Sequence, residues 1–204
     1  MLLLSVCITG VDGTGKSTVV RRLHDLLGNE KSVVQYMGMK SWETKVGEKY
    51  LQREIHTYKD KIAYIYAQIR ELRHRVYKHR GDSRLVIFDR YAHEQILQFD
   101  KSGLTWKNRP VKLLYQLFLS SFLYKPTLQI YLTCSIETSL ARKEDIRGSG
   151  AAERLRQNKA LLDKYYGEDA NVFVIDTSGI SEEKTLGMIL EKMENMECFN
   201  TLMR

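Results

Sequence analysis

The stretch GVDGTGKST, residues 10–18, stands one residue after the apolar run LLLSVCI. Three glycines so close together sacrifice backbone order, and a chain keeps them where it must turn sharply or approach a ligand. Gly10, Gly15, Lys16 and Ser17 have the spacing GxxxxGK[ST], with a buried strand predicted before it and a helix after it. In that setting the backbone N–H groups converge on an anion, and the helix adds the positive end of its dipole. Lys16 can then reach the β- and γ-phosphates of a nucleoside triphosphate, and the Ser17 hydroxyl can ligate Mg²⁺. Asp12, Gly13, Thr14 and Thr18 complete the loop. A nucleoside triphosphate and Mg²⁺ are therefore expected here.

The rest of the chain alternates in a way that suits this loop. Strands are predicted at Leu2–Thr9, Ser32–Tyr36, Arg84–Phe88, Leu128–Thr133 and Asn171–Ile175, all apolar enough for a parallel sheet buried on both faces. Helical patterns cover Ser17–Leu27, ending at Gly28, then about Glu43–Lys78, Lys112–Tyr124, Ile136–Lys143, Ala151–Tyr166 and Glu182–Met196. With no repeat, low-complexity segment or linker, residues 1–204 read as one domain. The expected fold class is α/β, a P-loop NTPase three-layer α/β/α sandwich with a five-stranded parallel sheet. A lid segment is expected at about 142–154.

Composition narrows the setting. The apolar runs are shorter than the roughly 18 residues of a membrane span, and no basic n-region precedes the first of them. Cys7, Cys134 and Cys198 lack CxxC spacing, and the first two fall in predicted core strands, as reduced thiols of a cytoplasmic protein do. The five histidines show no ligand spacing. A net charge of +7 points to an anionic partner without naming it.

A P-loop is shared by kinases, GTPases and motor ATPases, so further stretches must discriminate. In VIFDRYAHEQ, Asp89 and Arg90 end the third strand, and carboxyl ends of strands in such sheets face the ligand crevice. Asp89 is placed to hold the Mg²⁺ shell and Arg90 to hold a phosphate; a surface salt bridge is the simpler alternative. In YIYAQIRELRHR, Tyr66 and Arg70 are four residues apart on one helix face, with Arg73 a turn further on. That pair suits a base and its phosphate, but also ordinary packing, or a pairing of Arg70 with Glu71. In LARKEDIRGSGAAER, Arg142, Lys143 and Arg147 flank a glycine segment, the composition of a phosphate lid or of a solvated loop.

Taken together, GVDGTGKST, YAQIR, DRY and LARKEDIRG resemble the thymidylate kinase group of P-loop nucleoside monophosphate kinases, in order from the N-terminus to about Thr177. The resemblance implies that Asp12 is the P-loop carboxylate near the acceptor sugar. It also implies that Tyr66 stacks the acceptor base and that Arg70 and Arg90 grip its phosphate, with Tyr91 closing the DRY triplet beside them. Arg142 resembles the arginine lying against the donor adenine, and Arg147 a lid arginine. Lys16, Asp89, Arg147 and Asp12 make up the catalytic set it implies, acting in a homodimer. Where such P-loops sometimes carry arginine this chain has Gly13, so the lid would have to supply that charge.

The departures concern the acceptor. YMGMKSWET stands where the group has an Arg-Glu-Pro-like segment, and AHEQILQFD, with Glu94, where it has a serine and a Tyr-Gln pair. The expected activity is ATP-dependent phosphoryl transfer to a nucleoside monophosphate, with thymidylate the default acceptor. A same-fold kinase for a nucleoside or phosphorylated metabolite is the alternative. A non-catalytic ATP- or nucleic-acid-binding module is a third, against which stands the absence of RNA-recognition signatures.

Overall fold

The computed structural model describes residues 3–38, 41–45, 57–91, 110, 113, 117, 125–142 and 150–200. Five of the predicted strands are present: β1 (Ser5–Gly10), β2 (Ser32–Tyr36), β3 (Leu85–Asp89), β4 (Leu128–Thr133) and β5 (Val172–Asp176). They form one parallel sheet in the order β2-β3-β1-β4-β5. All six residues of β1 are buried, as a strand at the centre of a covered sheet requires. Its register pairs Ile8 with Asp89 on one side and Gly10 with Leu132 on the other. The ends of β1, β3 and β4 therefore lie together at one edge, from which the P-loop springs.

The helices are α1 (Lys16–Lys31), α2 (Tyr58–Tyr77), α3 (Ile136–Arg142), α4 (Ala151–Leu162) and α5 (Glu182–Glu194). Gly28, expected as the stop of α1, is its non-helical point with φ 77°, and the segment resumes for one more turn to Lys31. Helix α4 continues as a π-turn, Asp163–Gly167. The core joins Val6 and Ile8 of β1 to Val20 and Leu23 of α1, Ile130 and Leu132 of β4, and Ile189 and Met193 of α5.

The chain divides into two compact units. Residues 2–36, 82–91 and 126–204 form the sheet unit just described; 37–81 and 92–125 belong to the other, of which 37–38, 41–45, 57–81, 110, 113, 117 and 125 are described. In that second unit, Thr57 and Asp60 close the N-terminus of α2 with a reciprocal capping box, at 3.0 and 3.1 Å. Arg75 and Glu71, 1% and 0% exposed, are paired at 2.8 Å. Arg75 also donates to Gly38 O (2.8 Å) and to Ser41 O, while Glu71 accepts from the Glu43 and Thr44 N–H groups at 2.6 and 3.0 Å. Burial alone would raise the Glu71 pKa, but those donors hold it below the ordinary glutamate value. Glu71 thus belongs to Arg75 and not to Arg70, and the pair ties the backbone of 38–44 to α2.

Candidate active site

The P-loop begins where Gly10 leaves β1. A Cβ at Gly10 would stand 2.2 Å from Leu132 O, so glycine is required by the neighbouring strand. At Gly13 (φ 83°) a Cβ would come within 2.8 Å of Ser139 on α3. Gly15 (φ 85°) caps α1 without a side-chain acceptor, so the first-turn N–H groups of α1 stay available to an anion.

The loop's carbonyls are engaged one after another by the rest of the unit. Val11 O accepts from Thr14 Oγ1 at 2.9 Å and from Lys16 Nζ at 2.5 Å. Asp12 O accepts from Ser139 Oγ at 2.5 Å, and Gly13 O from Arg142 at 3.4 Å. Thr14 O lies 3.4 Å from Thr177 Oγ1, whose proton is shared with Thr133 O at 3.1 Å. With four consecutive acceptors satisfied, the polar groups the loop has left for a ligand are donors. Residues 12–19 line a cavity of about 550 Å³ together with Arg90, Arg142, Thr177, Ile180 and the start of α5.

The charges around this cavity match the loop. Lys16 is 5% exposed and lies 3.9 Å from Asp12. Arg90, at the end of β3, reaches the same carboxylate at 3.2 Å. Among the described residues it is the one non-glycine with positive φ, 71°, a conformation that costs on the order of 1 kcal/mol and is common where function dictates geometry. Its N–H is held by Ile8 O at 2.9 Å. Arg142 donates to Thr177 O at 2.7 Å and to Thr177 Oγ1 at 3.2 Å, which sets its guanidinium at the rim. Cys134, next to this end of β4, has its thiol pKa raised by burial and serves as packing.

Gly10, Asp12, Gly13, Thr14, Gly15, Lys16, Ser17, Thr18, Arg90 and Arg142 thus fall within one unit at the end of β1, nearly all of them on the cavity wall. Asp89 is half-buried at the end of β3, in register with Ile8. Tyr91 is turned into the core, 1% exposed and edge-on to Phe88 at 5.4 Å between centroids. Tyr66 and Arg70 lie on the exposed side of α2, Tyr66 59% exposed. Arg147 and Glu94 lie outside the described residues. Ser139 and Thr177 went unseen in the sequence. The signals that could have found them are the three-residue spacing of Ser139 and Arg142 on α3 and the place of Thr177 just past β5.

A family model described as thymidylate kinase matches residues 8–185, most of the chain and both ends of this cavity. The chain belongs to the thymidylate kinase family. The thymidylate kinase of Brachyspira hyodysenteriae (strain ATCC 49526 / WA1) is 25% identical over 146 residues, 70% of this chain and 69% of that one. Among solved structures, the thymidylate kinase from Candida albicans matches with a TM-score of 0.70 at 18% identity, covering 95% of this chain and 92% of that one. A deoxyadenosine kinase from M. mycoides, solved with dCMP and a flexible dCDP bound, matches with a TM-score of 0.59 at 22% identity, covering 94% and 99%. These two likenesses establish the shared fold. The expected P-loop α/β architecture is confirmed, and as a member of the thymidylate kinase family the protein is a phosphotransferase.

Proposed function

We propose that the protein transfers the terminal phosphoryl group of ATP to a nucleoside monophosphate, with thymidylate the first acceptor to test. The observation that carries the reading is the P-loop cavity, where pinned carbonyls leave only donors for a triphosphate and Lys16, Arg90 and Arg142 surround the place where charge would develop. Phosphoryl transfer spreads charge over the moving group, so alignment and fixed cations supply most of the catalysis. Lys16 donates to Val11 O, and a bound phosphate would accept that hydrogen bond instead. Arg90 grips the acceptor phosphate, released from Asp12 when the anion arrives; Asp12 then faces the acceptor sugar. Arg142 lies along the donor base, and Arg147 completes the charge on the lid. Tyr66 and Arg70 are the acceptor-side candidates on α2.

The donor set fits Mg²⁺. Ser17 lines the cavity and Asp89 ends the strand in register with β1, hydroxyl and carboxylate oxygens of the kind this hard cation takes. When bound, the ion would neutralise charge on the transferring phosphate. An acceptor phosphate is already a nucleophile, so no general base is required. We place the enzyme in the cytoplasm, as the reduced, buried thiols of Cys7 and Cys134 suit, and take it to act as a homodimer. No helix among the described residues is long and apolar enough to cross a membrane.

The test is ATP consumption measured against nucleoside monophosphates, nucleosides and phosphosugars. Turnover confined to monophosphates supports the reading. Turnover confined to acceptors without a phosphate overturns it and demands a base, for which Asp12 and Asp89 are the carboxylates in place.

A further inference from the structure

Ser139 stands at the middle of the short helix α3 and is fully buried. A hydroxyl inside a helix ordinarily bonds back to the carbonyl four residues before it. That carbonyl, Ser135 O, takes the Ser139 N–H at 3.0 Å, while the Ser139 hydroxyl crosses to Asp12 O at 2.5 Å. Alanine would fill the same place with better helix propensity and no hydroxyl to desolvate. The serine is explained by the carbonyl it holds, not by the helix it sits in. Helix α3 is itself anchored at its start. The Ser135 N–H donates to Ser178 Oγ at 2.8 Å, and Ser135 Oγ accepts from the Thr138 N–H at 3.1 Å. The Ser139 hydroxyl thus reaches the loop from a fixed support.

Peptide geometry says what the loop gains. In a trans peptide the C=O and the N–H of the next residue point in opposite directions, and none of the described peptides is cis. Drawing Asp12 O toward α3 therefore turns the Gly13 N–H away from α3. Gly13 lines the donor cavity, and among the described residues its N–H has no acceptor. Glycine tolerates φ of either sign, so the 12–13 peptide could rotate about its flanking bonds at little cost. A bond from outside the loop has to stop that rotation.

We infer that Ser139 is a positioning residue of the phosphoryl transfer, its hydroxyl setting the Gly13 N–H as a donor to the phosphate chain of ATP. It acts through the backbone and touches no substrate. A donor aligned beforehand stabilises the charge that develops on the phosphates and needs no reorganisation as the transfer proceeds. This role rests on the proposed reading of the cavity as the ATP site and on nothing about the acceptor.

The test follows the glycine amides of the full chain, labelled with ¹⁵N-glycine, through a titration with ADP and Mg²⁺. In the parent the Gly13 and Gly15 amide protons are expected to move downfield as they donate to the phosphates. In Ser139→Ala the Gly13 proton should lose at least half of that movement while Gly15 keeps its own. With thymidylate as acceptor, kcat of this variant should fall about tenfold with the ATP KM within about threefold, since a donor is misaligned rather than removed. Ser135→Ala weakens the cap of the same helix and should lower the Tm without changing the Gly13 movement or kcat. A Gly13 amide that ADP leaves unmoved in the parent, or moves equally in Ser139→Ala, overturns the inference while Gly15 still reports the ADP site. A kcat that falls as far in Ser135→Ala overturns it too, because loosening α3 would then suffice. ADP that moves neither glycine fells the donor reading and the inference with it. Thymidylate left unphosphorylated fells only the acceptor reading, and the amide titration then decides by itself.

Discussion

The P-loop and the Ser41–Thr44 segment are both irregular backbone held by charged or hydroxyl side chains from a neighbouring helix, and they differ in what is left unsatisfied. Around the P-loop, Ser139, Arg142 and Thr177 engage the carbonyls of Asp12, Gly13 and Thr14. The loop keeps its backbone N–H groups for a ligand, and such groups can donate to any phosphate of the right reach. At 41–44 the backbone is pinned as firmly by Glu71 and Arg75, which use up the N–H groups of Glu43 and Thr44 as well as Ser41 O.

The largest effect that would sharpen this contrast is on stability. Arg75→Ala strands a buried Glu71 and frees the backbone of Ser41, and should cost about 4 kcal/mol by chemical denaturation, as lone buried charges do. Because the folded pKa of Glu71 is depressed, the stability it contributes is present above the ordinary glutamate range and is lost as the pH falls through the depressed value. A variant as stable as the parent at neutral pH would show that 38–44 is not held by this pair.

Lys16→Ala comes next. It removes a fixed cation from the donor cavity and should lower kcat/KM by about 3 kcal/mol with the fold intact. Activity within tenfold of the parent would place the donor elsewhere and end the comparison. Arg90→Ala should raise the acceptor KM by about 2 kcal/mol of lost charge-assisted bonding while the ATP KM moves little. An equal rise in both would make Arg90 part of the donor clamp. Thr177→Val is the mildest: the loss of its shared hydroxyl loosens Thr14 O and the seat of Arg142, and should weaken ATP binding by about 1 kcal/mol without touching the acceptor.

Much of the sheet unit was legible because its signals are local. Ser32–Tyr36 and Leu128–Thr133 coincide with their predicted strands, and the other three strands differ by one to three residues at an end. The P-loop announced its ligand class through spacing alone. Tyr91 shows the limit: the DRY triplet reads as one acceptor motif, yet the left-handed turn at Arg90, just past β3, sets its last residue into the core beside Phe88. On α2 the helix pattern singled out Tyr66 with Arg70, both exposed. The hold of Glu71 and Arg75 on residues 38–44 went unread, because it rests on contacts 27 to 37 residues apart that no local pattern records.

The close approach of Gly13 to Ser139 also bears on how this sequence can change. A side chain at 13 would overlap the backbone and hydroxyl of Ser139, and that hydroxyl in turn holds Asp12 O. An arginine could therefore enter the loop only after α3 had withdrawn or residue 139 had shrunk, and the carbonyl at 12 would then need another donor. Across the sequences that have diverged from this one, positions 12, 13 and 139 should vary as a set, so that the identity of one residue on α3 records which catalytic charge the loop was ever free to acquire.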